Sequence, residues 1–231
     1  MTTDRGVAYP TIRTFHPRRG RVTPSQNRAL ETHGERVLLP VDGRPLNLAT
    51  VFGADVPVVL EIGFGMGEAT AALAVAQPTT GVLAVDVHTP GVGRLVASVA
   101  ACGLDHVRVM HGDAVVVVRD MLAPASLAGA RIFFPDPWPK SRHRKRRLVQ
   151  PDFAALLASR LAPGGSLHCA TDWLPYAEQM LHVLSAEPLL ENVFDGPAPR
   201  PSERPVTRFE RRGLERGHDV VDLVFRRRVP A

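Results

Sequence analysis

Lysine is nearly missing from this 231-residue chain, with Lys140 and Lys145 its only two, although Lys and Arg together number 28 against 23 acids. The net charge of +5 and pI of about 10.0 are therefore carried by arginine, which offers bidentate phosphate contacts and stacking that lysine does not. Cysteine is scarce too. Cys102 and Cys169 lie far apart in apolar surroundings with no CxxC or Cys/His spacing, which excludes a disulfide framework and a zinc site. Both are expected to be buried free thiols in a reducing compartment. No apolar run approaches the length of a membrane span, and the polar N-terminus has no secretory core, so a cytoplasmic protein with no membrane partner is expected. Neither a Ser/His/Asp order nor a metal-binding helix is present, so no metal is expected; His88 and His111, near strand ends, read as structural.

What is present is an alternation of short apolar runs and helical stretches. Residues 1–36 lack sustained periodicity and carry Arg5, Arg13, Arg18, Arg19 and Arg21; they read as a flexible basic arm with a short helix over Pro24–His33. A single domain over residues 37–231 is expected to follow. Strands are expected at Val58–Ile62, Gly81–Val87, Val107–Met110, Ala130–Phe134 and Ser166–Ala170. Helices are expected at Glu68–Ala76, Gly93–Ala101, Leu148–Leu161 and Tyr176–Leu184, with Pro163-Gly164-Gly165 as a breaker. Residues 195–206 read as a loop and Val220–Phe225 as a late edge strand. This order predicts an α/β fold with a mostly parallel sheet covered by helices on both faces.

The first strand runs into a glycine turn, Leu60-Glu61-Ile62-Gly63-Phe64-Gly65-Met66-Gly67. In an open parallel sheet, ligands bind outside the carboxyl ends of the strands. The spacing is G-x-G-x-G, and Glu68 stands where a dinucleotide fingerprint needs glycine. Glu61 also places a carboxylate where a diphosphate would be repelled and a cationic ligand end welcomed, which favours S-adenosyl-L-methionine over NAD. Asp86 ends the second strand, where it suits ribose hydroxyls of either cofactor. Asp113 ends the third, suited to an adenine amino group, to a helix N-cap, or to both.

The fourth strand opens into Phe133-Phe134-Pro135-Asp136-Pro137-Trp138-Pro139-Lys140, then Ser141-Arg142-His143-Arg144-Lys145-Arg146-Arg147. A carboxylate, an aromatic surface and dense cationic charge side by side are what nucleic-acid chemistry requires. Trp138 either stacks a base or packs the turn. Thr171-Asp172-Trp173 closes the fifth strand in the same manner. The mixed segment Arg204-Pro205-Val206-Thr207-Arg208-Phe209-Glu210-Arg211-Arg212-Gly213 reads, by itself, as a solvated loop.

Through the glycine turn, His88-Thr89-Pro90-Gly91-Val92-Gly93, Phe133–Arg147, Ala170–Tyr176 and Pro205–Gly213, the chain resembles the bacterial tRNA (guanine-N7-)-methyltransferases. The resemblance implies a class I, Rossmann-like methyltransferase fold with a seven-stranded, mostly parallel sheet. It implies S-adenosyl-L-methionine as cofactor, contacted by Glu61, Gly63, Gly65, Asp86, Asp113 and Asp136, with Asp136 also catalytic. It implies tRNA as partner, with Lys140, Asp172 and Thr207, Arg208, Phe209 and Glu210 binding substrate. Arg142, His143, Arg144, Lys145, Arg146 and Arg147 would then face the RNA. A methyltransferase of exocyclic base amines, an NAD oxidoreductase and a non-catalytic RNA-binding module are the competing readings. Whether the protein is a monomer or a homodimer is open at this level.

Overall fold

Short apolar runs closed by turn residues build the sheet. Val58–Ile62 (β2), Gly81–Asp86 (β3), Val107–His111 (β4), Leu127–Phe133 (β5) and Leu161–Thr171 (β6) lie in parallel register. The computed structural model describes residues 13–15, 20–215, 217 and 219–230, without the side chains of Arg208, Phe209 and Arg212. Arg5, Arg18 and Arg19 of the expected arm lie outside the described residues.

Successive residues along each strand serve opposite faces. On β3, Leu83 and Val85 enter one apolar core while Val82 and Ala84 enter the other. One face is covered by Pro24–Val37 (α1), Glu68–Ala76 (α3) and Thr89–Ala101 (α4). Across the sheet lie Leu48–Phe52 (α2), Ala114–Val116 (α5, continued by a π-helical turn over Val117–Met121), Pro151–Arg160 (α6) and Leu174–Ser185 (α7).

The sheet has eight strands in the order β1-β4-β3-β2-β5-β6-β8-β7. The eighth, beyond the seven expected, is the two-residue Leu38–Leu39 (β1) beside β4. Val221–Arg227 (β8) runs antiparallel and sits between β6 and Leu190–Asn192 (β7), so β7 and not β8 is the edge. Strand order reverses between β2, which leads to β3 and β4, and its other neighbour β5. That crevice is where an open α/β sheet receives a ligand.

Several elements differ from the sequence reading for identifiable reasons. The helix expected at Pro24–His33 runs on to Val37 from a capping box between Thr23 and Gln26 with Pro24 in the first turn. It packs so tightly on α4 that a Cβ at Gly93 would lie 2.9 Å from Gln26 Cβ. Helix α4 begins at Thr89, not Gly93, because Pro90 occupies the first turn and Gly91 and Gly93 serve close packing. Pro163-Gly164-Gly165 lies inside β6, where the pairing with β5 shifts register between Leu127 and Gly129, a local irregularity and not a strand break. Cys169 is buried in β6, and burial pushes its thiol up to about 12. Cys102 is exposed at the end of α4, contrary to expectation, since the helix turns its last residues to solvent.

Candidate active site and nucleic-acid interface

The glycine turn after β2 holds three left-handed residues, Gly63, Gly65 and Gly67, at φ 80, 60 and 76°. Beneath it Glu61 is buried, with Oε1 accepting from the Thr70 hydroxyl at 2.9 Å and Oε2 without a partner. Burial raises its pKa, against the opposing charge of Arg131 in register on β5 and the Thr70 bond. Asp86 accepts from the Gly65 N–H at 2.6 Å through Oδ2 and from the His88 N–H at 2.8 Å through Oδ1. Burial raises its pKa too, and those backbone bonds oppose the rise. Asp113 caps α5, its Oδ1 accepting from the Val115 N–H at 2.9 Å.

The glycine turn, Asp86 and Asp113 open onto one cavity of about 360 Å³, a volume proper to a small-molecule site. Gly63, Gly65, Asp86, Asp113, Asp136 and Asp172 all line it, from the ends of five adjacent parallel strands. Glu61 lies below this lining. His88, expected to be structural, also borders the cavity, as do Thr14 and Phe15, which sequence reasoning did not single out.

The turn after β5 is held in uncommon backbone. Phe134 and Trp138 have φ 51 and 43°, conformations that cost about 1–3 kcal/mol each and persist where the surroundings over-determine them. Trp138 is 3% exposed, donates from Nε1 to the Thr14 carbonyl at 3.2 Å and carries the Arg146 guanidinium 5.0 Å from its ring centre. It therefore packs the turn and has no face free for a base. Past it, Ser141–Arg146 forms a 3₁₀ turn that exposes Arg142, Arg144, Lys145 and Arg146 beside exposed Lys140, with His143 half-buried. Arg147 departs from the expected RNA-facing run. It is 1% exposed, and its side chain points inward to the Pro137 and Pro175 carbonyls.

The segment read as a solvated loop is instead a helix, Arg208–Glu215 (α8), opened by a capping box. The Glu210 N–H donates to Thr207 Oγ1 at 3.0 Å and the Thr207 N–H to Glu210 Oε2 at 3.3 Å. The T-x-x-E spacing carried that signal in the sequence. Glu210 is buried, and its carboxylate also takes bonds from Arg204 and Arg200, so the expected substrate contact is corrected to a role in holding the segment. The side chains of Arg208 and Phe209 lie outside those described. Gly213 brings α8 against Asp172, where an added Cβ would lie 3.0 Å from Oδ2.

Arg204 is fully enclosed between Glu210 and Asp222, and Asp222 Oδ1 lies 2.7 Å from His168 Nε2. Its guanidinium also stands 5.9 and 5.8 Å from the ring centres of Phe133 and Phe134, just before the strained turn. Burial works to raise the pKa of both carboxyls. Bonds from Arg200 and Arg204 to Glu210, and from His168 and Arg204 to Asp222, outweigh it and leave both below their ordinary values. A carboxyl lowered in the folded state stabilises the fold above its ordinary pKa, and the contribution is lost as pH falls through the folded value. The contribution of this network to Tm should therefore be lost between about pH 5 and pH 3, against the opposite trend of Glu61 and Asp86, whose raised values favour the fold on acidification. Arg204→Met should lower Tm by about 4 °C or more at neutral pH and flatten that acid dependence, both read by calorimetry. An acid slope as steep in the variant as in the wild type would discount the network.

Among known proteins, a family model described as a putative methyltransferase matches residues 55–223. A tRNA (guanine-N(7)-)-methyltransferase of Streptomyces avermitilis is 58% identical over 221 residues, 95% of this chain and 76% of that one. One from Bordetella pertussis is 56% identical, over 94% of this chain and 85% of that one. The chain belongs to the tRNA (guanine-N(7)-)-methyltransferase family. The 16S rRNA methyltransferase KamB superposes with a TM-score of 0.58 at 16% identity, over 79% of this chain and 93% of that one. A variant 16S rRNA (adenine(1408)-N(1))-methyltransferase from Catenulisporales acidiphilia, solved with its cosubstrate SAM, gives 0.54 at 14%, over 79% and 90%. At those identities the likeness is one of fold, and the fold is the class I methyltransferase fold, its seven-stranded sheet extended here by β1. Among the described residues no cluster of His, Cys, Asp and Glu is arranged to hold a metal, and no helix is long and apolar enough to cross a membrane.

Proposed function

We propose that this chain transfers the methyl group of S-adenosyl-L-methionine to N7 of a guanine in the variable loop of tRNA. The observation that carries the reading is the convergence of Asp86, Asp113, Asp136 and Asp172 on one cavity, beside an outward-facing run of cations. The residues fit the cofactor by chemistry. Glu61 Oε2 is a buried acceptor without a partner under the glycine turn, and a Cβ built on Gly63 meets nothing within 4 Å, so the backbone is open to close approach. Glu61, Gly63, Gly65, Asp86, Asp113 and Asp136 would hold it. When bound, the cofactor supplies an electrophilic methyl on a sulfonium.

The remaining tasks fall to the chain. Guanine N7 bears a lone pair and no proton, so the site needs no strong general base, and catalysis rests on alignment. Asp136, fixed by the strained turn, orients the guanine and offsets the positive charge the purine acquires. Asp86 keeps carboxylate lone pairs for ribose hydroxyls beyond the two backbone bonds it accepts. Lys140, Asp172 and the Thr207–Glu210 segment bind substrate, the last through a helix start that Glu210 secures from inside. Arg142, His143, Arg144, Lys145 and Arg146 bind tRNA phosphates, a term that weakens with salt. The family relationship, tRNA substrates named for the relatives and the arginine-rich surface support this over an amine-directed enzyme or a non-catalytic module.

The test is transfer from radiolabelled S-adenosylmethionine to bulk tRNA lacking 7-methylguanosine, with reductive cleavage to map the product. Label at a variable-loop 7-methylguanosine is expected. Label elsewhere would remove the substrate assignment, and binding of both ligands without transfer would favour an RNA-binding module.

A further inference from the structure

We propose that Arg147 is a positioning residue for methyl transfer, coupling the turn that carries Asp136 to the loop that carries Asp172. This rests on the function proposed above. The geometry is specific. Arg147 Nε donates to the Pro137 carbonyl at 2.8 Å, one residue beyond Asp136. Nη1 donates to the Pro175 carbonyl at 3.1 Å, three residues beyond Asp172, and to Gln179 Oε1 at 2.6 Å. One planar cation thus ties the turn leaving β5 to the first turns of α7, which follows β6 directly after Asp172 and Trp173.

The surroundings fix the guanidinium in place. Its centre lies 4.7 Å from the Tyr176 ring centre. The Tyr176 hydroxyl accepts from the Val149 N–H at 3.0 Å, and Gln179 Nε2 donates to the Val149 carbonyl at 3.3 Å. Arg147, Val149, Tyr176 and Gln179 therefore close into one unit joining the chain after the basic turn to the first turns of α7. Nη2 is buried without a partner, and burial is the largest influence on Arg147, lowering its pKa. A phosphate-binding arginine has no need of burial, and the neighbours Arg144, Lys145 and Arg146 are exposed. The fork is what the site uses, because a lysine ammonium has no planar array of donors with which to reach both carbonyls.

The experiment compares wild type, Arg147→Lys, Arg147→Met and the exposed Arg144→Ala by single-turnover methyl transfer at saturating cofactor and tRNA. All assays are run at one temperature, about 15 °C below the Tm of the least stable folded variant, so that the folded fraction is not limiting. Arg147→Met should lower the transfer rate constant by about 100-fold, and Arg147→Lys by about 10-fold, for a small misplacement of reacting groups. The tRNA Kd and its salt slope should stay at wild-type values in both, whereas Arg144→Ala should weaken tRNA binding and reduce the slope by about one. In a Trp173→Phe background, acrylamide should quench Trp138 fluorescence more strongly in the Arg147 variants as the turn loosens. If Arg147→Met does not fold, Arg147→Lys decides. A wild-type rate constant in either folded variant, or a reduced salt slope, overturns the proposal. Absence of transfer by the wild type itself would instead remove the function reading; the quenching comparison then decides alone, unchanged quenching overturning the positioning role.

Discussion

Asp136→Ala should reduce the single-turnover rate of methyl transfer by about 100- to 1000-fold while leaving cofactor affinity within a few-fold of wild type. The expectation comes from how the side chain is delivered. Phe134 at φ 51° and Trp138 at φ 43° flank it, Pro135 and Pro137 lock their own φ angles, and Trp138 is tied down through Thr14 and Arg146. Such strain is maintained only where position matters. Under the proposed function, cofactor binding would have three further carboxylates, Glu61, Asp86 and Asp113, to rely on. Asp136→Asn separates the two roles given to Asp136, since it keeps the shape and removes the charge. If orientation dominates, Asn should restore part of the rate; if charge offset dominates, it should resemble Ala. Turnover at the wild-type level in Asp136→Ala would falsify the assignment.

Gly91→Ala should cost at least about 100-fold in S-adenosylmethionine affinity, measured by calorimetric titration, together with about 1–3 kcal/mol of stability. A Cβ at Gly91 would lie 1.7 Å from the Gly65 carbonyl oxygen. Backbone is what it meets, so no rotamer change relieves the overlap. Either the first turn of α4 or the glycine turn has to move, and the Gly65 N–H that orients Asp86 moves with it. Gly34→Ala in α1 is the control. Its Cβ would meet only the end of the Leu38 side chain at 3.3 Å, so cofactor affinity should be unchanged. Wild-type affinity in Gly91→Ala would mean that the glycine turn adjusts freely and does not define the site.

The sequence was legible where chemistry and strand ends coincide. Asp86, Asp113, Asp136 and Asp172 each follow an apolar run, and parallel strands place such residues at one edge of the sheet whatever the details of packing. The cavity lined by all four follows from that rule. Misreadings arose where a residue type serves two purposes. Gly91 looks like a loop residue ahead of the helix expected at Gly93–Ala101, yet it sits inside α4, at a point where the glycine turn approaches too closely for a side chain. Pro163-Gly164-Gly165 looks like a terminator, yet it is an irregularity within β6. Thr207–Glu210 looks like a solvated charged stretch until its spacing is seen as a capping box.

By itself, then, the order of residues determined the strand–helix alternation, the glycine turn, the strand-end carboxylates and the basic run, because each depends on local periodicity or on side-chain type. Tertiary structure alone decided what each charged or aromatic group faces. Arg147 and its neighbour Arg146 are the same residue type in one basic run; the first is buried on two carbonyls, and the second is exposed over Trp138. Glu210 became an internal anchor because β8 inserts between β6 and β7 and brings Asp222 to Arg204. Burial of a charge is a property of what surrounds it, and those surroundings come from segments distant in sequence.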